Sequence, residues 1–229
     1  MFDIPMDLKS LEKSIIAYEQ EPIDKGKILF YGHSLFTRWG SPKWGYRRMD
    51  EDIRMKDGSL AVVNHGFGTS TSEELLYYYD RMVRPWEPRA LVVATYANDG
   101  MYGYGPEQVM ANLSKILHWA RTDFPGIQLF VVEPHPTPKG KDATLPDKWN
   151  NGLNKRKHFM EMLDIYEQTH EDTTVIRLWN QPELFETPED VGNFRKVRDD
   201  IFVADQVHPN QAGYDIFGKI FREALDELL

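Results

Sequence analysis

Three residues in this chain have the types and spacing that acyl transfer needs. Gly32-His33-Ser34 places a serine just past an early apolar run. Asp205-Gln206-Val207-His208 places an acid three residues ahead of a histidine, shortly before the last apolar-periodic segment. A serine hydroxyl is a poor nucleophile until an imidazole takes its proton. The imidazole in turn needs an acid to fix its tautomer and to stabilise its protonated form. Ser34, His208 and Asp205 could fill these three roles. Each also has an ordinary reading: Ser34 as a helix N-cap after a strand, His208 as a surface histidine capping the last helix. A lone Gly-x-Ser favours the ordinary one.

These residues need elements that bring them together. Five apolar runs read as strands: 27–31, 60–64, 90–96, 127–132 and 173–179. They are apolar almost throughout rather than alternating, which suits strands buried on both faces of a parallel sheet. Between them, helical spacing of apolar residues marks 71–83, 106–123, 151–170 and 211–229, and a further helix is expected over 8–19. Ser70 or Ser72, followed by Glu73 or Glu74, is a plausible start for the helix over 71–83. Alternation of this kind predicts a doubly wound α/β sandwich with right-handed crossovers. Ligands bind such sheets outside the carboxyl ends of the strands. Ser34 follows the first run, Gly68 and Thr69 the second, Asn98 and Asp99 the third, and Asp205 and His208 come after the fifth. The polar groups of interest therefore collect on one edge. Two stretches, 137–150 and 180–203, read as loops long enough to be lids, binding loops or mobile segments.

Composition narrows the function classes. The chain has 229 residues, 41% hydrophobic and 28% charged, which is an ordinary globular composition that fits one domain over 1–229. A net charge of −9 argues against nucleic acid and anionic membranes as partners. With no cysteine, disulfides, thiolate catalysis and cysteine metal sites are excluded. Residues 1–10 lack the basic and apolar regions of a signal peptide, and no run approaches a membrane span, so a cytoplasmic protein is expected.

Four blocks together resemble the SGNH hydrolases, also called GDSL esterases and lipases: Ile28-Leu29-Phe30-Tyr31-Gly32-His33-Ser34, Asn64-His65-Gly66-Phe67-Gly68-Thr69-Ser70-Thr71, Tyr96-Ala97-Asn98-Asp99, and Asp205-Gln206-Val207-His208-Pro209-Asn210. They occur in family order and span nearly the whole chain. The resemblance implies a flavodoxin-like SGNH fold, a three-layer α/β/α sandwich around a five-stranded, mostly parallel sheet. It implies Ser34 as nucleophile, His208 as base and Asp205 as its orienting acid. The oxyanion hole would use the Ser34 backbone N–H, a backbone N–H from Gly68-Thr69 and the Asn98 side-chain amide, with no metal or other cofactor. The sequence departs from the family pattern at His33, where the family has Asp, and at Thr69 and Tyr96, where it has Gly. A left-handed backbone at position 69 would be unfavourable for a β-branched Thr, so either that loop is regular or Gly68 supplies the freedom. For Asn98, and more so for Gly68 and Thr69, turn chemistry is the competing reading.

The expected activity is a serine esterase acting on small or carbohydrate-linked acyl esters, the partner being a small-molecule ester such as an acylated sugar. An acyltransferase with the same triad and a non-catalytic ligand-binding module are the alternatives. His33, His65, Trp39, Tyr96 and Tyr102 are candidates for lining the pocket, and Trp44 and Tyr104 could add walls. His33, His65, His135 and His208 all fall near strand ends. A metal site is the sharper reading of that group, but their spacing matches no metal motif. Arg195, Lys196 and Arg198 could hold an anionic substrate, although charges in such loops are usually solvated. Abundant aromatics leave room for a homo-oligomer.

Overall fold

The computed structural model describes residues 8–41, 43–141 and 148–229. Strands β1 (Ile28–Gly32), β2 (Val62–Gly66), β3 (Ala90–Ala94), β4 (Gln128–Val132) and β5 (Thr173–Ile176) form one sheet in the order β2-β1-β3-β4-β5, and every pairing is parallel. This is the flavodoxin-like order. Successive strand residues face opposite sides. Leu29 and Tyr31 therefore join one core, and Ile28 and Phe30 the other. A strand covered on both sides has no polar face, which is why the runs read as continuously apolar.

Helices α1 (Leu8–Glu19), α4 (Ser72–Met82), α6 (Pro106–Asp123) and α7 (Lys148–Thr169) cover the first face. Helices α2 (Ser34–Arg38), α3 (Met49–Asp52) and α8 (Gln211–Ala224) cover the second. A single turn, α5 (Asp99–Tyr102), follows β3. The bounds of α1 and α6 match the sequence reading. The short helices α2, α3 and α5 carry too few residues to show a period and leave no signal in the sequence. None of the helices among the described residues is long and apolar enough to cross a membrane.

Several boundaries differ, for identifiable reasons. The fifth strand stops at Ile176 rather than at residue 179, because the N–H groups of Leu178 and Trp179 turn onto the buried Glu133 carboxylate at 2.8 and 3.1 Å. The third stops at Ala94 because Tyr96 adopts a left-handed backbone, φ 76°. Helix α4 starts at Ser72, one of the two candidate serines, but neither serine caps it. Thr71 is its N-cap, closing a reciprocal capping box with Glu74. Helix α7 begins at Lys148, inside the stretch read as a loop over 137–150. In the rest of that stretch residues 138–141 form a 3-10 turn, and 142–147 lie outside the described residues, as do 1–7 of the N-terminal segment. The 180–203 stretch is no free lid. It makes three 3-10 turns and an antiparallel bridge between Phe185 and Val197, and Leu184, Phe185, Val197 and Ile201 are buried in the second core.

Two close approaches shape this end of the sheet, one between β2 and α2 and one between β1 and β3. A Cβ on Gly66 would lie 2.4 Å from the Thr37 nitrogen, and one on Gly32 would lie 2.6 Å from the Ala94 carbonyl oxygen. Only glycine lets backbone pack at these distances. Tyr214 of α8 then ties the layer together, its hydroxyl donating to the Leu35 carbonyl at 3.0 Å.

Candidate active site

The chain turns from β1 directly into α2, and Ser34 is the first residue of that helix. Its Oγ lies 2.8 Å from His208 Nε2, and His208 Nδ1 lies 2.8 Å from Asp205 Oδ2. The structure therefore joins three residues drawn from opposite ends of the chain. Asp205 is held in one orientation. Its Oδ1 accepts the backbone N–H groups of Val207 and His208, both at 2.9 Å, and its Oδ2 also accepts from Arg38 Nη1 at 3.1 Å. The tight 205–208 turn uses a left-handed residue, Gln206, at φ 56°. The cap of α8 is Asn210, whose side chain accepts from the Gly213 N–H at 3.1 Å, so His208 is not spent on capping.

Three donors expected to serve the oxyanion hole stand at this end of the sheet. As the first residue of a helix, Ser34 has a backbone N–H with no intrahelical acceptor. Gly68, two residues past the end of β2, comes so close that its Cβ would lie 4.0 Å from the Ser34 Cβ. Neither N–H donates to a backbone or side-chain acceptor among the described residues. Thr69 itself takes the left-handed turn, φ 67°, so neither expectation for this loop holds: it is not regular, and Gly68 is not the residue that supplies the positive φ. Asn98 is buried, and one of its two amide protons goes to the Ser70 carbonyl at 2.8 Å, leaving the second. Asp99 fixes that corner: its carboxylate accepts from the Ser72 N–H at 2.8 Å and the Tyr96 N–H at 3.0 Å. This is the residue that joins the end of β3 to the start of α4. In the sequence it stands among the polar groups at the strand ends, without a role of its own.

The electrostatics favour a neutral imidazole beside an ionised carboxylate. Burial pushes Asp205 up, but the N–H donors of His208 and Val207 and the His208 ring outweigh it and hold the acid at about 2. His208 is depressed by burial and by the Arg38 and Lys139 charges, with Asp205 acting against them. His33 caps α2, its Nδ1 accepting the Leu35 N–H at 3.3 Å, which requires the neutral ring with its proton on Nε2. Burial, with His135 and His208 nearby, pushes it down to about 3. A neutral imidazole thus takes the acceptor position next to Ser34. His135, just beyond β4, donates from Nε2 to the Val207 carbonyl at 2.9 Å and pins the 205–208 turn to the sheet.

Several of the other candidates lie away from Ser34. His65 is fully buried on the α1/α4 face, where its Nδ1–H donates to the Met82 carbonyl at 2.7 Å and its ring packs on Tyr18 and Trp86. It does not line the site, because the strand alternation that faces Tyr31 to the first core does the same to its register partner. The four histidines therefore do not meet as a ligand set. Trp39 is a core residue packed on Tyr214 and Phe221, with its indole N–H on Asp52, and so lines no pocket. Tyr104 is buried with its hydroxyl on Glu73. Tyr102 is 44% exposed at the end of α5, and Tyr96 is buried, stacked on Phe159 at 4.7 Å. Trp44 lies under the Arg38 guanidinium at 4.3 Å. Lys196 and Arg198 are spent on Glu186 and Asp200 at 2.9 and 2.6 Å, and Arg195 stacks over Phe194, so none of the three serves the site.

Arg38 was missed although it stands four residues after Ser34, the spacing of one helix face, because α2 itself was not read.

Three buried neutral histidines make stability depend on pH. His33 is pushed down to about 3, and His65 and His135 to about 4 each, chiefly by burial. In the unfolded chain each titrates near ~6.5. Above that pH both states are neutral. Below it the unfolded state binds more protons, and stability falls until the folded-state values are reached. Each histidine then costs about 1.4 kcal/mol per pH unit. Urea unfolding followed between pH 7 and 5 should show a steadily falling midpoint, and His65→Phe should flatten the slope by about one proton.

Comparison with known proteins places this geometry in a setting. The GDSL-like lipase/acylhydrolase family profile matches residues 30–216. None of the curated proteins matches the chain in sequence. Among solved structures, a GDSL-like lipase from Bacteroides thetaiotaomicron is 17% identical and superposes with a TM-score of 0.69 over 97% of this chain and 98% of that one. A lipase/acylhydrolase from Enterococcus faecalis is 18% identical, with a TM-score of 0.63 over 88% and 96%. An acetyl xylan esterase is also 18% identical, with a TM-score of 0.65 over 87% and 99%. At these identities the structural likeness carries the fold.

Proposed function

The chain belongs to the GDSL-like lipase/acylhydrolase family, a family of carboxylic ester hydrolases, and from that premise we propose that it is a serine esterase for small or carbohydrate-linked acyl esters. The observation that carries the reading is the unbroken line from Ser34 Oγ through His208 to Asp205, with both links at 2.8 Å. The similarity in fold to an acetyl xylan esterase supports a short acyl group on a sugar.

The chemistry follows from the proton positions. Asp205 Oδ2 accepts the Nδ1–H of His208, leaving a lone pair on Nε2 to take the Ser34 hydroxyl proton. As the proton leaves, Ser34 Oγ bonds to the ester carbonyl carbon and the carbonyl electrons move onto oxygen. That oxyanion is stabilised by the N–H groups of Ser34 and Gly68 and the free amide proton of Asn98. Donors fixed in place beforehand cost no reorganisation when the charge appears. The helix dipole at the start of α2 adds to this in a small way. His208 then returns its proton to the departing alcohol, and a water attacks the acyl-enzyme by the same route in reverse.

The pH dependence tests the assignment of the base. Since His208 must be neutral and its pKa is depressed, kcat/KM should fall in acid through a single limb centred below the ordinary histidine value. Asp205 stays ionised throughout that range. Removing the Arg38 charge withdraws one of the influences that depress His208. Arg38→Met should therefore move the acid limb of p-nitrophenyl acetate hydrolysis upward while the alkaline plateau persists. An unmoved limb would separate Arg38 from the base.

A further inference from the structure

Among the buried polar atoms that have no hydrogen-bond partner are the Tyr96 hydroxyl and the Arg156 Nε, both near this site. Arg156 lies on α7, and its Nη1 donates to the His135 carbonyl oxygen at 3.3 Å. His135 is also the residue that pins the 205–208 turn, so Arg156 is one residue removed from the loop that carries His208. Tyr96 stands two positions before Asn98 and is 3% exposed, its ring stacked at 4.7 Å and 20° on Phe159. Phe159 and Arg156 are three apart on α7 and share a face. The two unmet donors thus approach one space from two sides, Tyr96 from the end of β3 and Arg156 from α7.

Arg156 forms no ion pair among the described residues, whereas Arg38, Arg81, Arg121 and Arg177 each hold a carboxylate. Its neighbours do not balance the charge. His135 is neutral, pushed down to about 4 by burial, and Tyr96 is pushed up to about 12 by burial and keeps its proton. Tyr96 also occupies a left-handed backbone, φ 76°. A bulky residue keeps such a conformation only where the surroundings impose it, and such positions cluster at sites of binding. Among the described residues the guanidinium has no counter-ion and the phenol no acceptor, and a single carboxylate would serve both.

We infer that Arg156 and the Tyr96 hydroxyl form a subsite for a carboxylate carried by the substrate, so that the preferred ester is anionic. This rests on the esterase reading above and adds the charge class of its substrate. The carboxylate can belong to the acyl part or to the alcohol part, and two matched pairs of esters distinguish these. Mono-p-nitrophenyl succinate against p-nitrophenyl butyrate probes the acyl side. 4-Acetoxybenzoate against its methyl ester probes the alcohol side.

The wild type should favour the charged member of one pair in kcat/KM by about ten-fold or more, mainly through KM, as expected for a charge-assisted hydrogen bond. The preference should weaken as salt is raised. Arg156→Gln should collapse the ratio, Arg156→Lys should restore part of it, and Tyr96→Phe, which removes a single oxygen, should narrow it. Because the measured quantity is a ratio within one enzyme sample, partial loss of folded protein does not affect it. No preference in either pair, or an equal fall of both members in Arg156→Gln and Tyr96→Phe, would overturn the subsite. Failure of the esterase reading looks different: the uncharged esters would not be turned over, or Ser34→Ala would turn them over undiminished.

Discussion

Ser34→Ala should lower kcat/KM for p-nitrophenyl acetate by about ten-thousand-fold or more, with the folded state intact. The size of the effect follows from the division of labour in the site. Alanine removes the atom that would bond to the carbonyl carbon, so the reaction loses its covalent intermediate and His208 has no hydroxyl to deprotonate. What remains is water attack assisted by the donors at Ser34, Gly68 and Asn98. The backbone N–H of residue 34 survives the substitution. The His33 cap on Leu35 and the Tyr214 bond to the Leu35 carbonyl are untouched, so α2 should stay in place. A circular dichroism melt close to wild type would show that the loss is chemical.

Asp205→Asn should cost nearly as much, about a thousand- to ten-thousand-fold in kcat, for a reason specific to this turn. The two carboxylate oxygens are not equivalent. Oδ1 accepts two backbone N–H groups, while Oδ2 faces His208 Nδ1 and Arg38. An asparagine must present its oxygen to the backbone donors, because its NH₂ cannot accept from them. The NH₂ then faces His208 and donates to Nδ1. That forces the proton onto Nε2, the nitrogen that has to receive one from Ser34. The same NH₂ confronts the Arg38 guanidinium. Asp205→Asn combined with Arg38→Gln should relieve that conflict and recover some stability but little activity. The wrong tautomer, not the repulsion, is the cause of the kinetic loss. Stopped assays at pH 8 and thermal melts of the single and double variants separate the two contributions.

How much of this was readable in the residues depends on what kind of information each feature needs. Long periodic elements were legible because their burial repeats: α1 and α6 carry their apolar stripes over whole helices, and the strands read as apolar because both faces are covered. That Ser34, His208 and Asp205 come together was legible because their side-chain types are distinctive where they follow the strands. Backbone angles leave no such trace. Thr69, Tyr96 and Gln206 adopt left-handed conformations in residue types that rarely do so, and each shapes the rim of the site. Buried carboxylates were equally hidden. Asp99 and Glu133 look like loop acids, yet they accept backbone N–H groups and end β3 and β5 where they do. His65 misled because position at a strand end says nothing about which face a side chain takes. The cations beside the site come from α2 and α7, Arg38 and Arg156, and not from the basic cluster at 195–198, whose charges are met by acids of its own loop or lie over its own aromatic ring.

The central claim is that Ser34 is the acyl acceptor and that His208 activates it. It is tested most directly by treating the protein with a fluorophosphonate and locating the adduct by peptide mass spectrometry. The account predicts a single adduct on Ser34, formed to stoichiometry, absent after Ser34→Ala and formed far more slowly after His208→Ala. Ester hydrolysis that persists with Ser34 unmodified, or with the adduct on another residue, would contradict it.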